Sequence, residues 1–316
     1  MSKILITGSS GFIGFHLANY LSNSNRILGV DNHNGYYSKR IKKKRLSLLK
    51  KKKNFFFKKI DLKNKNKLEK IFKEFKPEYV FHIAGQPGVL YSFKNPKSYK
   101  LNNTYATKII CKLCKVYSVK KFIFASSSSI YGDQKKFPIK ETFNPNPKNY
   151  YAKTKLKSEK IICETFKKSQ TKFIIFRFFS VYGPYGRPDM FIHKFLNALK
   201  KNKQIKLHNS GLNFRDFTYI KDVVEILFLA IKKKLNGKIV NISRCHPIRT
   251  DKLVYLILKY YKKNNVKIKK IDFVKGEMLK THWINSKLKK IFGKIKFTDI
   301  QYGIKNTIKI FKKNGF

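Results

Sequence analysis

The chain has 316 residues, which allows one large domain or one large and one small domain, and its formal net charge is +55. No uncharged apolar run is long enough to span a membrane, and no leader-like segment precedes the first strand pattern, so a cytoplasmic protein is expected. Only eight of the 72 basic residues are arginine and lysine is spread throughout, which favours a lysine-rich composition over a specific nucleic-acid surface. The basic runs at 42–45 and 50–53 are expected on a solvated helix face.

Strand and helix patterns alternate along the first 180 residues. Strands are predicted at 3–7, 26–30, 54–60, 78–84, 120–126 and 172–178, and helices near 12–22, 39–50, 64–75, 97–117 and 151–169. Later elements are predicted as helices at 191–201, 221–234 and 250–263, strands at 205–208, 238–242 and 266–273, and two C-terminal helices. The pattern predicts an α/β fold, with a doubly wound parallel sheet in residues 1–180 and a smaller α+β lobe in residues 181–316, some of whose segments return to the sheet.

A glycine-rich loop follows the first predicted strand. Gly8, Gly11 and Gly14 recur at every third position, and a helical pattern begins directly afterwards. Because glycine has no Cβ, such a loop lets a pyrophosphate approach the backbone and the N–H groups of the helix N-terminus. The second strand pattern is followed by Asp31, whose carboxylate can accept both hydroxyls of an adenosine ribose and would repel a 2′-phosphate. The sequence therefore predicts a Rossmann-like domain that binds NAD rather than NADP.

A tyrosine and a lysine stand four residues apart at the start of the helix predicted near 151–169. Residues at this spacing share one face of a helix, so Tyr151 and Lys155 project together. A nearby ammonium stabilises phenolate and thereby lowers the pKa of a phenol, which makes Tyr151 a candidate general base. Lys155 is also a candidate ligand of the nicotinamide ribose. Tyr150 does not share this arrangement, because the residue four positions later is Thr154.

Four consecutive serines, residues 126–129, follow the fifth predicted strand. Ligands of open α/β sheets bind just beyond the carboxyl ends of the strands. Hydroxyl groups at this place can hydrogen-bond an oxygen while it changes between an alcohol and a carbonyl. We therefore expect the serine run to face the reacting part of the substrate.

Several residues favour a structural interpretation. Cys111 and Cys114 form a C-x-x-C pair, but they lie inside an apolar helical pattern and are expected in the core. His16 and His82 are expected to pack inside a helix and a strand. The single tryptophan, Trp283, fits either a core position or the border of a uridine site. No His, Cys or carboxylate cluster has metal-ligand spacing, so no metal is expected.

The glycine loop, the serine run and the Tyr151/Lys155 pair, in this order, resemble the extended short-chain dehydrogenase/reductase family. The chain is most similar to the nucleotide-sugar 4-epimerases in that family, and among them to the UDP-glucuronate 4-epimerases. The resemblance extends from residue 1 to about residue 313. It is carried most specifically by the segments 30–37, 82–89, 177–190 and 215–222.

The resemblance implies a role for each matching residue. The dinucleotide would be held by Gly8, Gly11, Phe12, Ile13, Gly14, Asp31, Asn32, Asp61 and Leu62. Its nicotinamide half would lie against Ala84, Gly85, Gln86, Asn103, Ser126, Tyr151 and Lys155. Tyr151 and Lys155 would be the catalytic pair, with Ser127 and Ser128 as hydrogen-bonding hydroxyls. Arg215 would contact the diphosphate and Arg187 the sugar, because a guanidinium matches the geometry of a carboxylate.

The resemblance also implies an activity: an isomerase that converts UDP-glucuronate to UDP-galacturonate through a transient 4-keto intermediate, as a homodimer serving polysaccharide biosynthesis. Leu90 stands where close relatives usually carry arginine, and so UDP-glucose and UDP-N-acetylglucosamine remain alternative substrates. A nucleotide-sugar dehydratase is a further alternative, although its usual acidic residue has no counterpart among the serines at 126–129. Two alternatives are not enzymes. The first is an NAD-binding sensor, which would be expected to lack Tyr151 or Lys155. The second is a basic protein that docks on nucleic acid, which would show salt-sensitive binding to DNA or RNA.

Overall fold

The computed structural model describes residues 1–134, 136–263, 266–272 and 283–315. Its strands are β1 Lys3–Thr7, β2 Arg26–Asp31, β3 Phe55–Lys59, β4 Tyr79–His82, β5 Lys121–Ser127, β6 Lys172–Phe178, β7 Ser180–Tyr182, β8 Ile205–His208, β9 Phe214–Arg215, β10 Phe217–Tyr219, β11 Lys238–Ile242, β12 Ile248–Arg249 and β13 Ile268–Ile271. Its α-helices are α1 Phe12–Leu21, α2 Lys39–Leu49, α3 Lys65–Phe75, α4 Val89–Lys94, α5 Pro96–Tyr99, α6 Ala106–Val116, α7 Tyr150–Phe166, α8 Phe191–Lys200, α9 Ile220–Lys232, α10 Thr250–Tyr261, α11 Ser286–Phe292 and α12 Ile300–Asn314.

The chain divides into two units, neither of which is continuous in sequence. The first comprises residues 1–132, 143–178 and 224–241, and the second comprises residues 133–142, 179–223 and 242–316. No described helix combines the length and the apolar character that a membrane crossing requires.

A seven-stranded sheet forms the centre of the first unit, in the order β11-β6-β5-β4-β1-β2-β3. The pairs that join β1 to β6 are all parallel. Central strands such as β1 and β4 consist mainly of buried apolar residues, as expected where helices cover both faces of a parallel sheet. The α/β fold class is confirmed, and each of the six strands predicted before residue 180 is present to within two residues at either end. The late strand β11 forms one edge of the sheet.

The core on one face of this sheet is formed by strand residues and by helices α3, α6 and α7. Leu5, Val80 and Phe122 come from three strands, while Ile110 and Phe166 come from the helices that cover them, and all five are buried. This packing fixes α6 and α7 against the strands. The carboxyl ends of the strands therefore keep a defined position relative to both helices.

The single helix predicted at 97–117 is interrupted. A wide π-helical turn, Lys100–Tyr105, separates α5 from α6. The carbonyl of Asn103 accepts hydrogen bonds from the hydroxyls of Thr107 and Ser158, at 2.5 and 3.2 Å. Side chains that hydrogen-bond a helix carbonyl in this way distort the regular helix, and such wide turns are common at functional sites.

The second unit contains short strand pairs and the last helices. β7 pairs with β10 and β8 with β13 in parallel, whereas β9 and β12 are antiparallel. Asp222 accepts hydrogen bonds from the backbone and the hydroxyl of Thr298, at 2.9 and 2.6 Å, and thereby anchors the segment before α12. The strand predicted at 266–273 is β13, although residue 273 lies outside the described residues.

Candidate active site

The glycine loop lies at the carboxyl end of β1, directly before α1. Gly8 has a φ of +73°, which disfavours other residues, and its amide donates to the Val30 carbonyl at 2.7 Å. A Cβ on Gly14 would stand 2.1 Å from the carbonyl oxygen of Gly8, so a side chain there would separate the helix from the loop. Phe12 and Ile13 form the first turn of α1. The loop therefore provides the close backbone and the helix N-terminus that a pyrophosphate requires.

Asp31 ends β2 beside this loop and is almost fully buried. One carboxylate oxygen accepts the Ser10 amide at 3.2 Å, and the other accepts the His33 amide at 2.8 Å. These bonds fix the orientation of the carboxylate at the end of the strand. The arrangement suits recognition of the two ribose hydroxyls of NAD.

The residues assigned to the adenine side are also brought together. The Asn32 amide group donates to Asp61 at 3.2 Å, and the backbone N–H of Lys63 donates to the other Asp61 oxygen at 2.9 Å. Leu62 between them is buried in the core. Asn32 and Asp61 follow neighbouring strands, β2 and β3, and therefore lie at the same edge of the sheet.

The prediction that the basic run 42–45 lies on a solvated helix face is wrong for two of its residues. Lys42 and Arg45 are buried, since this face of α2 points toward the loops that follow β1 and β2. Lys42 Nζ donates to the side-chain and backbone oxygens of Asn34, at 2.8 and 3.0 Å. Arg45 donates to the Ser10 carbonyl at 3.0 Å. Both cations thus support loops of the predicted dinucleotide site, a role that the sequence analysis missed.

The residues predicted to border the nicotinamide lie around the π-helical turn. The side-chain oxygen of Asn103 accepts a hydrogen bond from the backbone N–H of Gln86 at 2.6 Å, and Asn103 Nδ2 donates to the backbone carbonyl of Gln86 at 3.2 Å. The Ala84 amide donates to the Thr7 hydroxyl at 3.2 Å. A Cβ on Gly85 would stand 3.0 Å from Asn103 Oδ1 and 3.2 Å from Lys155 Nζ. Asn103 therefore orients the segment after β4 against the lysine of α7.

The predicted catalytic pair lies in the first turns of α7, which begins where the Asn149 side chain accepts the amide of Ala152 at 2.9 Å. Lys155 is buried, and its Nζ donates to the Ala125 carbonyl at 2.7 Å. Burial lowers the pKa of Lys155 to about 8, against the opposing effect of Glu159. Tyr151 is half-buried one helical turn earlier. The structure thus places the pair on one helix, beside the end of β5.

The serines of the run occupy different environments. Ser126 is buried and donates its hydroxyl to Glu159 at 2.5 Å. Ser127 is half-buried, and its hydroxyl accepts the amide of Ser129 at 3.2 Å. Ser128 is also half-buried, at the start of a 3₁₀ turn that extends to Tyr131. Ser127 and Ser128 are therefore the more accessible of the predicted hydroxyls.

The two predicted substrate arginines lie in the second unit. Arg187 makes a two-point ion pair with Asp189, at 3.1 and 2.6 Å. Arg215 ends the short strand β9 and donates to the Phe214 carbonyl at 3.0 Å. Their contacts with a substrate remain predictions.

Of the residues expected in the interior, His82, Cys111 and Cys114 are buried, whereas His16 is only half-buried. His82 lies between the hydroxyls of Thr7 and Thr107, at 2.8 and 3.0 Å, and burial lowers its pKa to about 3, so its ring is neutral. Cys111 and Cys114 are buried in α6, where burial raises the pKa of both thiols. Of the two interpretations of Trp283, the structure favours the core, since its ring packs against Phe179 with centroids 4.0 Å apart. The described residues contain no group of His, Cys, Asp and Glu that could hold a metal ion.

A family model described as the NAD dependent epimerase/dehydratase family matches residues 4–243. The chain belongs to this family. NAD is therefore its cofactor, and the resemblance to the extended short-chain dehydrogenase/reductases is confirmed. The close-packed glycine loop and the oriented Asp31 carboxylate fit this cofactor.

Relatives match this chain over nearly its full length. A UDP-glucuronate 4-epimerase from Thermodesulfobacterium geofontis is 34% identical over 99% of this chain and 97% of its own. The crystal structure of UDP-glucuronic acid 4-epimerase from Bacillus cereus, in complex with UDP-glucuronic acid and NAD, superposes with a TM-score of 0.92 at 28% identity, covering 98% of this chain and 99% of that one. A UDP-N-acetylglucosamine 4-epimerase from Methanobrevibacter ruminantium has a TM-score of 0.90 at 26% identity, covering 99% of this chain and 98% of that one.

Proposed function

We propose that the protein is a UDP-sugar 4-epimerase, and that its substrate is UDP-glucuronate, which it converts to UDP-galacturonate. The observation that carries the proposal is the position of Lys155 Nζ. It donates to the end of β5 at 2.7 Å, lies 3.2 Å from the place of a Cβ on Gly85, and follows Tyr151 by one helical turn. The similarity to UDP-glucuronate 4-epimerases over nearly the whole chain supports the same activity.

The mechanism follows from the chemistry of these side chains. Bound NAD supplies a reversible acceptor for hydrogen at C4 of the sugar. Tyr151 takes the proton of the 4-hydroxyl, and the C4 oxygen becomes a carbonyl. Lys155 stays protonated at neutral pH, because its lowered pKa of about 8 is still above 7, and it stabilises the phenolate of Tyr151. Ser127 and Ser128 hydrogen-bond the same oxygen, and Tyr151 returns the proton after the sugar has presented its other face.

The remaining predicted residues are assigned to cofactor and substrate. The segment that includes Ala84, Gly85 and Gln86, held by Asn103, would border the nicotinamide. Ser126 would border the cofactor by its position at the end of β5 and not through its hydroxyl, because the hydroxyl donates to Glu159. Arg215 would bind the diphosphate, and Arg187 the sugar. A homodimer and a role in polysaccharide biosynthesis belong to the same proposal.

UDP-N-acetylglucosamine is the second candidate substrate. Leu90 is an exposed apolar side chain at the second position of α4, where the resemblance would favour arginine. A leucine cannot form an ion pair with a uronate carboxylate. The similarity to a UDP-N-acetylglucosamine 4-epimerase is of the same order as that to the Bacillus cereus enzyme.

Separate incubations of the purified protein with UDP-glucuronate, UDP-glucose and UDP-N-acetylglucosamine test the activity and the substrate together. Chromatography of the products identifies the sugar inverted at C4. We expect UDP-galacturonate from the first incubation, and no inversion of any of the three sugars would refute the proposal.

The assignment of the base is tested by Tyr151→Phe. This change should lower kcat by about a thousandfold, since it removes the proton acceptor, and should leave the bound NAD in place. Tyr150→Phe, one position earlier on the same helix, is the matched control and should retain activity. Full activity of Tyr151→Phe would exclude Tyr151 as the base.

A further inference from the structure

A buried ion pair joins α7, the helix of Tyr151 and Lys155, to the strand β6. Glu159 and Arg177 are each 3% exposed, and they join through two hydrogen bonds, at 3.1 and 2.7 Å. Burying two charges removes them from water at a cost that their attraction often does not exceed, and apolar pairs of similar volume are frequently as stable. The stability of the fold therefore does not explain why charges stand here.

The ion pair connects four parts of the first unit. Glu159 lies on α7 and accepts the hydroxyl of Ser126 from β5 at 2.5 Å. Arg177 lies on β6 and donates to Tyr131 at 2.8 Å, and Tyr131 in turn donates to Asn241 of β11 at 2.8 Å. Because every one of these groups is buried, the network holds the helix, two neighbouring strands and the strand at the sheet edge in one arrangement.

The spacing along α7 relates this network to the reaction. Tyr151, Lys155 and Glu159 are four residues apart and share one face of the helix. Two consecutive residues of β5 bind two of them: the Ala125 carbonyl accepts from Lys155, and the Ser126 hydroxyl donates to Glu159. Two adjacent attachments of this kind prevent the helix from sliding or rotating on the strand.

We propose that Glu159 is a positioning residue which, held by Arg177 and bound to Ser126, sets the place of Tyr151 and Lys155 relative to the serine run. This inference rests on the proposed function. It assigns a role in the reaction to a carboxylate that does not itself touch the sugar.

The charged groups around Lys155 make the positioning role of Glu159 measurable as a change in the titration of the catalytic pair. Glu159 on the same helix favours the charged form of Lys155, whereas Arg177 of β6 compensates the charge of Glu159. His82 of β4 is neutral, because burial lowers its pKa to about 3. Cys163, one turn after Glu159, is kept as a thiol, since burial and then Glu159 raise its pKa. Removing Glu159 alone would therefore leave the positive charge of Arg177 uncompensated near the catalytic pair.

Two variants separate charge from position. Glu159→Gln keeps the shape and removes one negative charge. The double variant Glu159→Leu with Arg177→Met keeps the balance of charge but removes the attachment to Ser126, and an apolar pair in such a place is compatible with folding. Glu164→Gln, an exposed position on the same helix, is the matched control.

The primary readout is the ultraviolet absorbance of the Tyr151 phenolate during a pH titration. Subtracting the titration of the same variant with Tyr151→Phe isolates this residue from the other tyrosines. The measurement needs neither substrate nor turnover. A protein that shows the titration shifts but epimerises no sugar would refute the proposed function and retain the positioning role.

The two variants should move the titration in opposite directions. Glu159→Gln should lower the midpoint by about one pH unit, because the uncompensated positive charge stabilises phenolate. The double variant should raise the midpoint, because the ammonium of Lys155 is no longer held beside the phenol. Its kcat should fall about ten- to hundredfold, the effect of a small misplacement of catalytic groups, with KM changed less than about threefold.

Three results would overturn the proposal. If the double variant does not fold, Ser126→Ala removes the same attachment of Glu159 to β5, and an unchanged midpoint and kcat in that variant would contradict the proposal. A double variant with the kcat and the midpoint of the unaltered protein would contradict it as well. A loss of kcat with unchanged midpoints in both variants would indicate a purely structural ion pair.

Discussion

Replacing Lys155 by methionine should stabilise the cofactor-free protein in a pH-dependent way. Burial lowers the pKa of this lysine from 10.5 to about 8, so between these values the folded protein binds fewer protons than the unfolded chain. The free energy of unfolding contributed by this group therefore rises with pH across that window. At pH 7 both states are protonated, and the ammonium costs the fold about 3 kcal/mol, because a tenfold difference in proton affinity between the two states corresponds to roughly 1.4 kcal/mol.

Urea unfolding of the unaltered protein and of Lys155→Met at pH 7 and at pH 10 measures this contribution. The loss of the bond to Ala125 affects both pH values alike, so the informative quantity is the change in the difference between the two proteins. That change should be about 2–3 kcal/mol, with the advantage of Lys155→Met largest at pH 7. Lys153→Met, an exposed position on the same helix, should show none of it. A difference that stays constant from pH 7 to pH 10 would refute the argument that Lys155 is a desolvated cation.

Two further predictions concern the glycine loop and the buried histidine. Gly14→Ala should destabilise the fold by about 1–3 kcal/mol and weaken NAD binding, because its Cβ would stand 2.1 Å from the Gly8 carbonyl oxygen. Urea unfolding measures the first effect and cofactor titration the second. Gly35→Ala is the control and should show neither effect, since the atom nearest to its Cβ would be 3.8 Å away. His82 has its pKa lowered from 6.5 to about 3, so its contribution to stability is complete above pH 6.5 and is lost as the pH falls toward 3. His82→Gln should reduce the loss of unfolding free energy between pH 6.5 and pH 4 by about 3 kcal/mol, and an effect no larger than that of the half-buried His16→Gln would count against the prediction.

Much of the fold could be predicted from local patterns in the sequence. Apolar runs bounded by turn residues located the central strands, because strands covered on both faces need a continuous run of such residues. The interruption of the helix predicted at 97–117 was not visible, since it depends on hydroxyls of Thr107 and Ser158 that bind the Asn103 carbonyl. Ser158 lies on another helix, and no local pattern relates it to Asn103.

The candidate site was also predicted only in part, because contacts between residues distant in sequence leave no local pattern. The resemblance placed Asp31, Asn103 and Lys155 among the functional residues, and the structure gives each of them oriented hydrogen bonds. Lys42 resembles every other lysine of a lysine-rich segment, and only the fold places the Asn34 oxygens in front of it. A charge on a helix is expected in solvent unless its partner is known, and such a partner can come from any other element.

The order of strands along the chain differs from their order in the sheet, and this has a consequence for synthesis on the ribosome. Strand β6 is complete at Phe178, but its outer neighbour β11 begins only at Lys238. At a translation speed of about 5–20 residues per second, the hydrogen-bonding edge of β6 stays uncovered for several seconds in the nascent chain. An open edge of this kind is a template for pairing with another chain. The many lysines, by mutual repulsion between emerging copies, would keep such encounters rare.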